Sequence, residues 1–153
     1  MTRAIRHVNA FTTVPLEGNP AAVVDGEELS SGVMQKIALN QHLSETVFLL
    51  PPQDAANHAY LRIFTPDREL PFAGHPTLAA AHVLLSEARV TLAPGEALRL
   101  ETGAGVIPVD VSADDHPRYT MTQALPEFRP ASQSHEQVAG WIGLDPTDIA
   151  HVE

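Results

Sequence analysis

Hydrophobic and polar positions change period several times along the 153-residue chain, and each change marks an element. From Arg3 to Phe11 apolar residues fall on roughly alternate positions, the pattern of a half-buried strand. Thr12–Pro20, with Pro15, Gly18 and Pro20, breaks that pattern as a loop. Ala21–Asp25 reads as a second strand closed by the turn pair Asp25-Gly26. Ser30 or Ser31 suits the N-cap of a helix over Val33–His42, with Val33, Ile37 and Ala38 on one face. Thr46–Leu50 is a buried strand stopped by Pro51-Pro52, and in Ala59–Thr65 Leu61 and Ile63 alternate with Tyr60, Arg62 and Phe64.

A strongly apolar stretch follows. From Thr77 to Leu85 only Thr77 and His82 are polar. A helix with no polar face is predicted to be enclosed on all sides, and three consecutive alanines would let neighbouring backbone come close. Pro76 fits the first helical position, where a missing N–H costs nothing. Gly74-His75 sits just upstream, where the free N–H groups of a helix N-terminus favour an anion. Beyond the turn at Pro94-Gly95, strands over Ala97–Glu101, Gly105–Val111 and Arg118–Gln123 follow at hairpin spacing. Gly103-Ala104-Gly105 therefore reads as a hairpin turn rather than a dinucleotide fingerprint, which would open a helix. Ser134 begins a capping-box-like Ser-His-Glu-Gln for a helix to Ile142, and Asp145–Asp148 starts a further helical turn. The economical fold is α+β: a strongly bent, mostly antiparallel sheet wrapped around the central apolar helix. Residues 1–130 form that body, and 131–153 a helical connection.

Composition narrows the function. Nine basic against nineteen acidic residues leave a net charge of −10, which argues against nucleic acid or an anionic membrane as partner. No cysteine is present, which removes disulfides, thiolate metal sites and thiol nucleophiles. No apolar run is long enough for a signal peptide or a membrane span, so a cytoplasmic protein is expected. The eight histidines (His7, His42, His58, His75, His82, His116, His135 and His151) are dispersed and form no HExxH pattern, so no metal is expected.

Three places hold candidate chemistry. Glu45, next to Ser44 in HLSETVFLL, is flanked by apolar sequence; burial there favours a neutral carboxyl able to give a proton as well as take one. The alternative is a strand-end glutamate, solvated or paired with an arginine. Asn19, before Pro20, is held extended, and its amide either forms a turn or holds a ligand. His75 is a ligand contact at the helix mouth or a locally satisfied residue of the first turn.

Five motifs in order resemble one family. They are Asn9-Ala10-Phe11 with Gly18-Asn19-Pro20-Ala21-Ala22-Val23; Leu43-Ser44-Glu45-Thr46; Phe64-Thr65-Pro66; Glu69-Leu70-Pro71-Phe72-Ala73-Gly74-His75-Pro76-Thr77; and Met121-Thr122-Gln123-Ala124-Leu125-Pro126-Glu127-Phe128. Together they are similar to the N-terminal half of the PhzF-type phenazine-biosynthesis isomerases. The resemblance implies a diaminopimelate-epimerase-like fold of two pseudo-symmetric halves, with the active site in the cleft between them. It also implies a cofactor-independent proton shift on a small cyclic or unsaturated carboxylate, such as trans-2,3-dihydro-3-hydroxyanthranilate. By motif Glu45 is the acid/base, and Asn19, Ser44, Gly74 and His75 contact substrate. In the related epimerases a catalytic cysteine lies near the position of Gly74, and its absence here argues against two-thiol racemisation. Amino or hydroxy acid epimerisation and a non-catalytic carboxylate-binding or partner subunit are the alternatives. Family members are roughly twice as long, the size of two packed domains. The second lip of the cleft is therefore expected from a separately encoded C-terminal half or a homodimer copy, unless the chain is a fragment of a longer one.

Overall fold

The computed structural model describes residues 3–114, 117–123, 125–128, 130 and 132–150. His116, Ala124, His151 and the outermost residues of the 131–153 connection lie outside the described residues. Two compact units are present, Met1–Thr122 and Gln123–Glu153. In the first, the chain runs β1 (Ile5–Ala10), β2 (Asn19–Asp25), α1 (Ser31–Gln41), β3 (Glu45–Leu50), β4 (Ala59–Phe64), β5 (Glu69–Leu70), α2 (Gly74–Ser86), β6 (Leu98–Thr102), β7 (Gly105–Val111) and β8 (Tyr119–Met121).

Two parallel pairings fix where the helices go. β2 and β3 are parallel neighbours, so the chain between them must cross over, and α1 is that crossover. β4 and β6 are also parallel, and β5 and α2 lie between them in the chain. The other pairings are antiparallel, giving one sheet in the order β1-β2-β3-β4-β6-β7-β8 with β5 attached to β4. The helices take opposite faces. Met34 and Ala38 of α1 pack with Val24, Phe48 and Phe64. The alternate residues Ala21 and Val23 of β2 and Val47 and Leu49 of β3 pack with the alanines of α2. Covered on both sides, β2 and β3 need near-continuous apolar sequence, which Ala21–Val24 and Thr46–Leu49 supply.

The sheet curls, because α2 touches strands at both of its edges, β1 and β8, as well as β2, β3 and β4 between them. Ala79, Ala80 and Ala81 are buried and allow this close wrapping. The bent, mostly antiparallel sheet around a central apolar helix is therefore the fold that the strand spacing predicts. Three local expectations are corrected. The buried face of α1 is Met34 and Ala38 rather than Val33, which is 43% exposed. Ser30 caps the helix through the Val33 N–H, which sets that phase. α2 begins at Gly74, so Pro76 is its third residue, still within the turn whose N–H groups lack intrahelical partners. Nor is α2 enclosed on every side, since His82 is exposed.

The second unit holds α3 (His135–Ile142) and a 3-10 turn at Pro146–Asp148. Ser134 and Gln137 form the reciprocal capping box that the sequence signals, and Gly143 ends the helix at φ 71°.

Candidate active site

One end of the curled sheet gathers the start of β2, the start of β3, the end of β4 and the N-terminus of α2. The register sets this. Ala21 of β2 lies opposite Glu45, the first residue of β3, and Thr46 lies opposite Phe64, the last residue of β4. Side chains alternate along a strand, so Glu45 shares the α2 face with Val47 and Leu49, and Asn19 shares it with Ala21 and Val23. Both candidate polar residues thus stand at the open end of the face whose interior is hydrophobic core.

α2 brings His75 to the same place. Nε2 of His75 lies 3.4 Å from Oε2 of Glu45, with the two side chains only 9% and 18% exposed. The approach lacks hydrogen-bond geometry, and both atoms are buried without a hydrogen-bond partner. An unmet buried donor or acceptor costs about 1–3 kcal/mol, so such atoms persist where something else selects for them. Glu101 shows the ordinary solution in the same molecule. Its buried carboxylate accepts from the Gln53 and Asp54 backbone N–H groups and from the Asn57 amide, each at 2.8 Å. Those donors, the Asn57 amide foremost, hold the Glu101 carboxyl below the usual carboxylate range. Glu101 is a satisfied anchor; the Glu45 oxygen is bare.

The helix mouth beside this pair is uncapped. Ala73 occupies the N-cap in extended conformation, with no side-chain cap bond and no acidic residue in the first turn. The backbone N–H groups of Gly74 and His75 are among those the helix leaves without internal partners, and the helix dipole adds partial positive charge there. Thr77 Oγ1 donates to the Ala73 carbonyl at 2.8 Å and keeps the turn closed. The β6–β7 hairpin holds the approach: the Ala104 N–H donates to the Pro71 carbonyl, and a Cβ on Gly103 would stand 3.0 Å from Pro71 Cα.

Of the residues singled out from sequence, Glu45, Gly74 and His75 converge, and Asn19 stands on their face of the sheet. Ser44 is exposed, one residue before β3 begins. Sequence reasoning missed two features. Thr46 carries a buried hydroxyl without a partner, and nothing in its apolar surroundings flags it. His82 hydrogen-bonds through Nδ1 to the Tyr119 hydroxyl at 3.1 Å. Its signal was available, as a polar residue in an apolar helix, seven positions after His75 and so on nearly the same flank.

The chain matches the family model described as "Phenazine biosynthesis-like protein" over residues 8–150. It is 38% identical to an uncharacterized isomerase of Mesorhizobium japonicum across 97% of this chain and 49% of that protein. It is 39% identical to the trans-2,3-dihydro-3-hydroxyanthranilate isomerase of Pseudomonas aeruginosa across 90% of this chain and 48% of the isomerase. A solved PhzF-family protein of Bacillus anthracis superposes with a TM-score of 0.79 at 31% identity, covering 97% of this chain and 50% of that one. The chain thus spans about half the length of the curated relatives it matches.

Proposed function

The chain belongs to the phenazine biosynthesis-like (PhzC-PhzF) family, and from that premise we propose that it forms one lip of a cofactor-independent isomerase. Glu45 is the acid/base that moves a proton on a small cyclic or unsaturated carboxylate. Substrate carboxylate sits at the N-terminus of α2 on the Gly74 and His75 amides, with Asn19 and Ser44 at its margin. A second half supplies the facing lip.

The observation that carries this reading is the bare Oε2 of Glu45, 3.4 Å from an equally unpartnered His75 Nε2. A carboxyl meant for structure is tied down by donors, as Glu101 is; one meant to exchange protons with a substrate must keep an oxygen available. The imidazole alongside can orient that carboxyl or the substrate. Closure by a second lip would exclude water and strengthen both the helix-mouth contact and the proton transfer. With no cysteine in the chain, two-thiol racemisation has no thiol acid/base here, and a carboxyl-mediated proton shift is the chemistry its residues favour.

Heavy water tests the acid/base directly. A fusion of this chain to the second half of the Pseudomonas aeruginosa isomerase is expected to incorporate deuterium into trans-2,3-dihydro-3-hydroxyanthranilate. Glu45→Gln, nearly isosteric but unable to take up the proton, should slow incorporation by roughly 10²–10⁴-fold, the usual worth of general acid–base catalysis. Incorporation by the variant at the parent rate would remove Glu45 from the mechanism.

A further inference from the structure

Across the sheet from Glu45, the tip of the β4–β5 hairpin carries an arginine. Thr46 lies opposite Phe64, so one step further along the same register Glu45 lies opposite Thr65. Phe64 in turn pairs with Glu69 of β5. The next rung joins Thr65 to Arg68, the Thr65 N–H donating to the Arg68 carbonyl at 2.8 Å. Glu45, Thr65 and Arg68 thus form one row across the sheet. Alternation fixes the face of that row. Leu70 lies opposite Ile63, which belongs to the core around α2, and Arg68 has the phase of Leu70. Glu69, of the other phase, turns to the α1 face. There Arg62 grips its carboxylate at 2.7 and 2.6 Å and reaches Ser31 at 2.9 Å. Arg68 therefore stands on the face that holds Glu45, two strand spacings or about 10 Å along the row.

The tip is tied down while its guanidinium is left free. Thr65 Oγ1 accepts from the Asp67 and Arg68 N–H groups at 3.2 and 3.1 Å, and Gln35 of α1 donates through Nε2 to the Thr65 and Pro66 carbonyls, each at 2.9 Å. The Arg68 side chain is exposed and enters no hydrogen bond or ion pair. Arg3, Arg6, Arg62, Arg89, Arg99 and Arg118 all donate to a carboxylate, a carbonyl or an amide oxygen. Among the described lysines and arginines, Lys36 alone shares the free state of Arg68, and it belongs to α1 on the opposite face. A chain with nineteen acidic residues thus leaves one arginine unpaired on the face of Glu45. We infer that Arg68 takes a second carboxylate of the substrate, so that the site serves a small cyclic or unsaturated dicarboxylate. The inference rests on the proposed function, in which the N-terminus of α2 takes the first carboxylate and Glu45 the proton. A guanidinium meets a carboxylate in a planar, two-bonded pair, which fixes direction as well as charge. Closure by the second half would withdraw that pair from water and strengthen it. Two anchors orient a substrate over Glu45, where a single carboxylate leaves it free to turn.

Titration calorimetry tests this on the full chain fused at its C-terminus to the second half of the Pseudomonas aeruginosa isomerase. The probes are benzoate, isophthalate and terephthalate, which share one ring and differ in the number and spacing of carboxylates. One of the two dicarboxylates should bind at least about tenfold tighter than benzoate, the worth of a hydrogen-bonded charged pair. Arg68→Gln should bring that dicarboxylate to within about twofold of benzoate, whereas Arg68→Lys, which keeps the charge, should hold part of the gain. Lys36→Gln, on the opposite face, should hold all of it. Equal affinities for the three acids, no binding of any of them, or a gain that survives Arg68→Gln would each overturn the assignment. Deuterium incorporation into trans-2,3-dihydro-3-hydroxyanthranilate by the same fusion reports on Glu45 separately. Incorporation without a dicarboxylate gain overturns the role of Arg68 and leaves the acid/base reading standing. A gain that depends on Arg68, in a fusion that incorporates no deuterium, supports Arg68 and counts against the acid/base reading.

Discussion

Gly18 sits at φ +79°, and a Cβ there would stand 2.2 Å from the Ala10 carbonyl oxygen. Ala10 pairs with Asn19 across β1 and β2, so the turn that carries Gly18 also sets where Asn19 enters the site. Gly18→Ala must bear both the left-handed penalty and the clash, and it is expected to cost at least about 2 kcal/mol, read as a lowered denaturation midpoint. Loss of binding at Asn19 should accompany it. The candidate site residues were legible in the sequence as types in context: a glutamate among apolar neighbours, an asparagine before proline, a histidine before a helix. Their meeting was not. Glu45 and His75 lie far apart in the chain, and only the register of β2 on β3 and the entry of α2 at the same end bring Oε2 and Nε2 to 3.4 Å.

The elements follow the hydrophobic pattern closely where the chain is buried on both sides, as in β2 and β3, and less well where a cap sets the phase, as in α1. The far end of α2 depends on charge. Arg6 of β1, Asp25 of β2, Glu87 and Arg89 form one cluster there, with Arg89 on both Asp25 and Glu87 and Arg6 on both as well. The hydrogen bond from Arg89, then its charge and that of Arg6, hold the Asp25 carboxyl below its ordinary value of 3.8. A lowered folded-state value means that stability is present above the unfolded value and is lost as pH falls through the folded one. Acid unfolding should therefore draw on Asp25 only below about pH 4. Asp25→Asn is expected to lower stability at pH 7 modestly, since the cluster is partly open to solvent. It should also flatten the stability-against-pH curve below pH 4, measured by urea denaturation at successive pH values. A curve as steep as the parent's would mean that other carboxyls carry the acid response.

Among the described residues of the larger unit, Glu45 and His75 meet at one open end of a curled sheet whose end strands are β1 and β8. The antiparallel hairpins and the apolar helix made the curled body readable from sequence, since short connections leave few topologies. The strand order was not readable to the same degree, because whether the end strands β1 and β8 meet is decided by curvature rather than by local pattern. The chain spans about half the length of the curated relatives it matches. Under the proposed function, Glu45 works only when the facing lip is present. Deuterium incorporation into trans-2,3-dihydro-3-hydroxyanthranilate, measured with the 153-residue chain held monomeric and then with its fusion to the second half of the Pseudomonas aeruginosa isomerase, tests it most directly. A two-lipped site predicts exchange in the fusion and at least a hundredfold less in the monomer; equal exchange by the monomeric chain alone would contradict it.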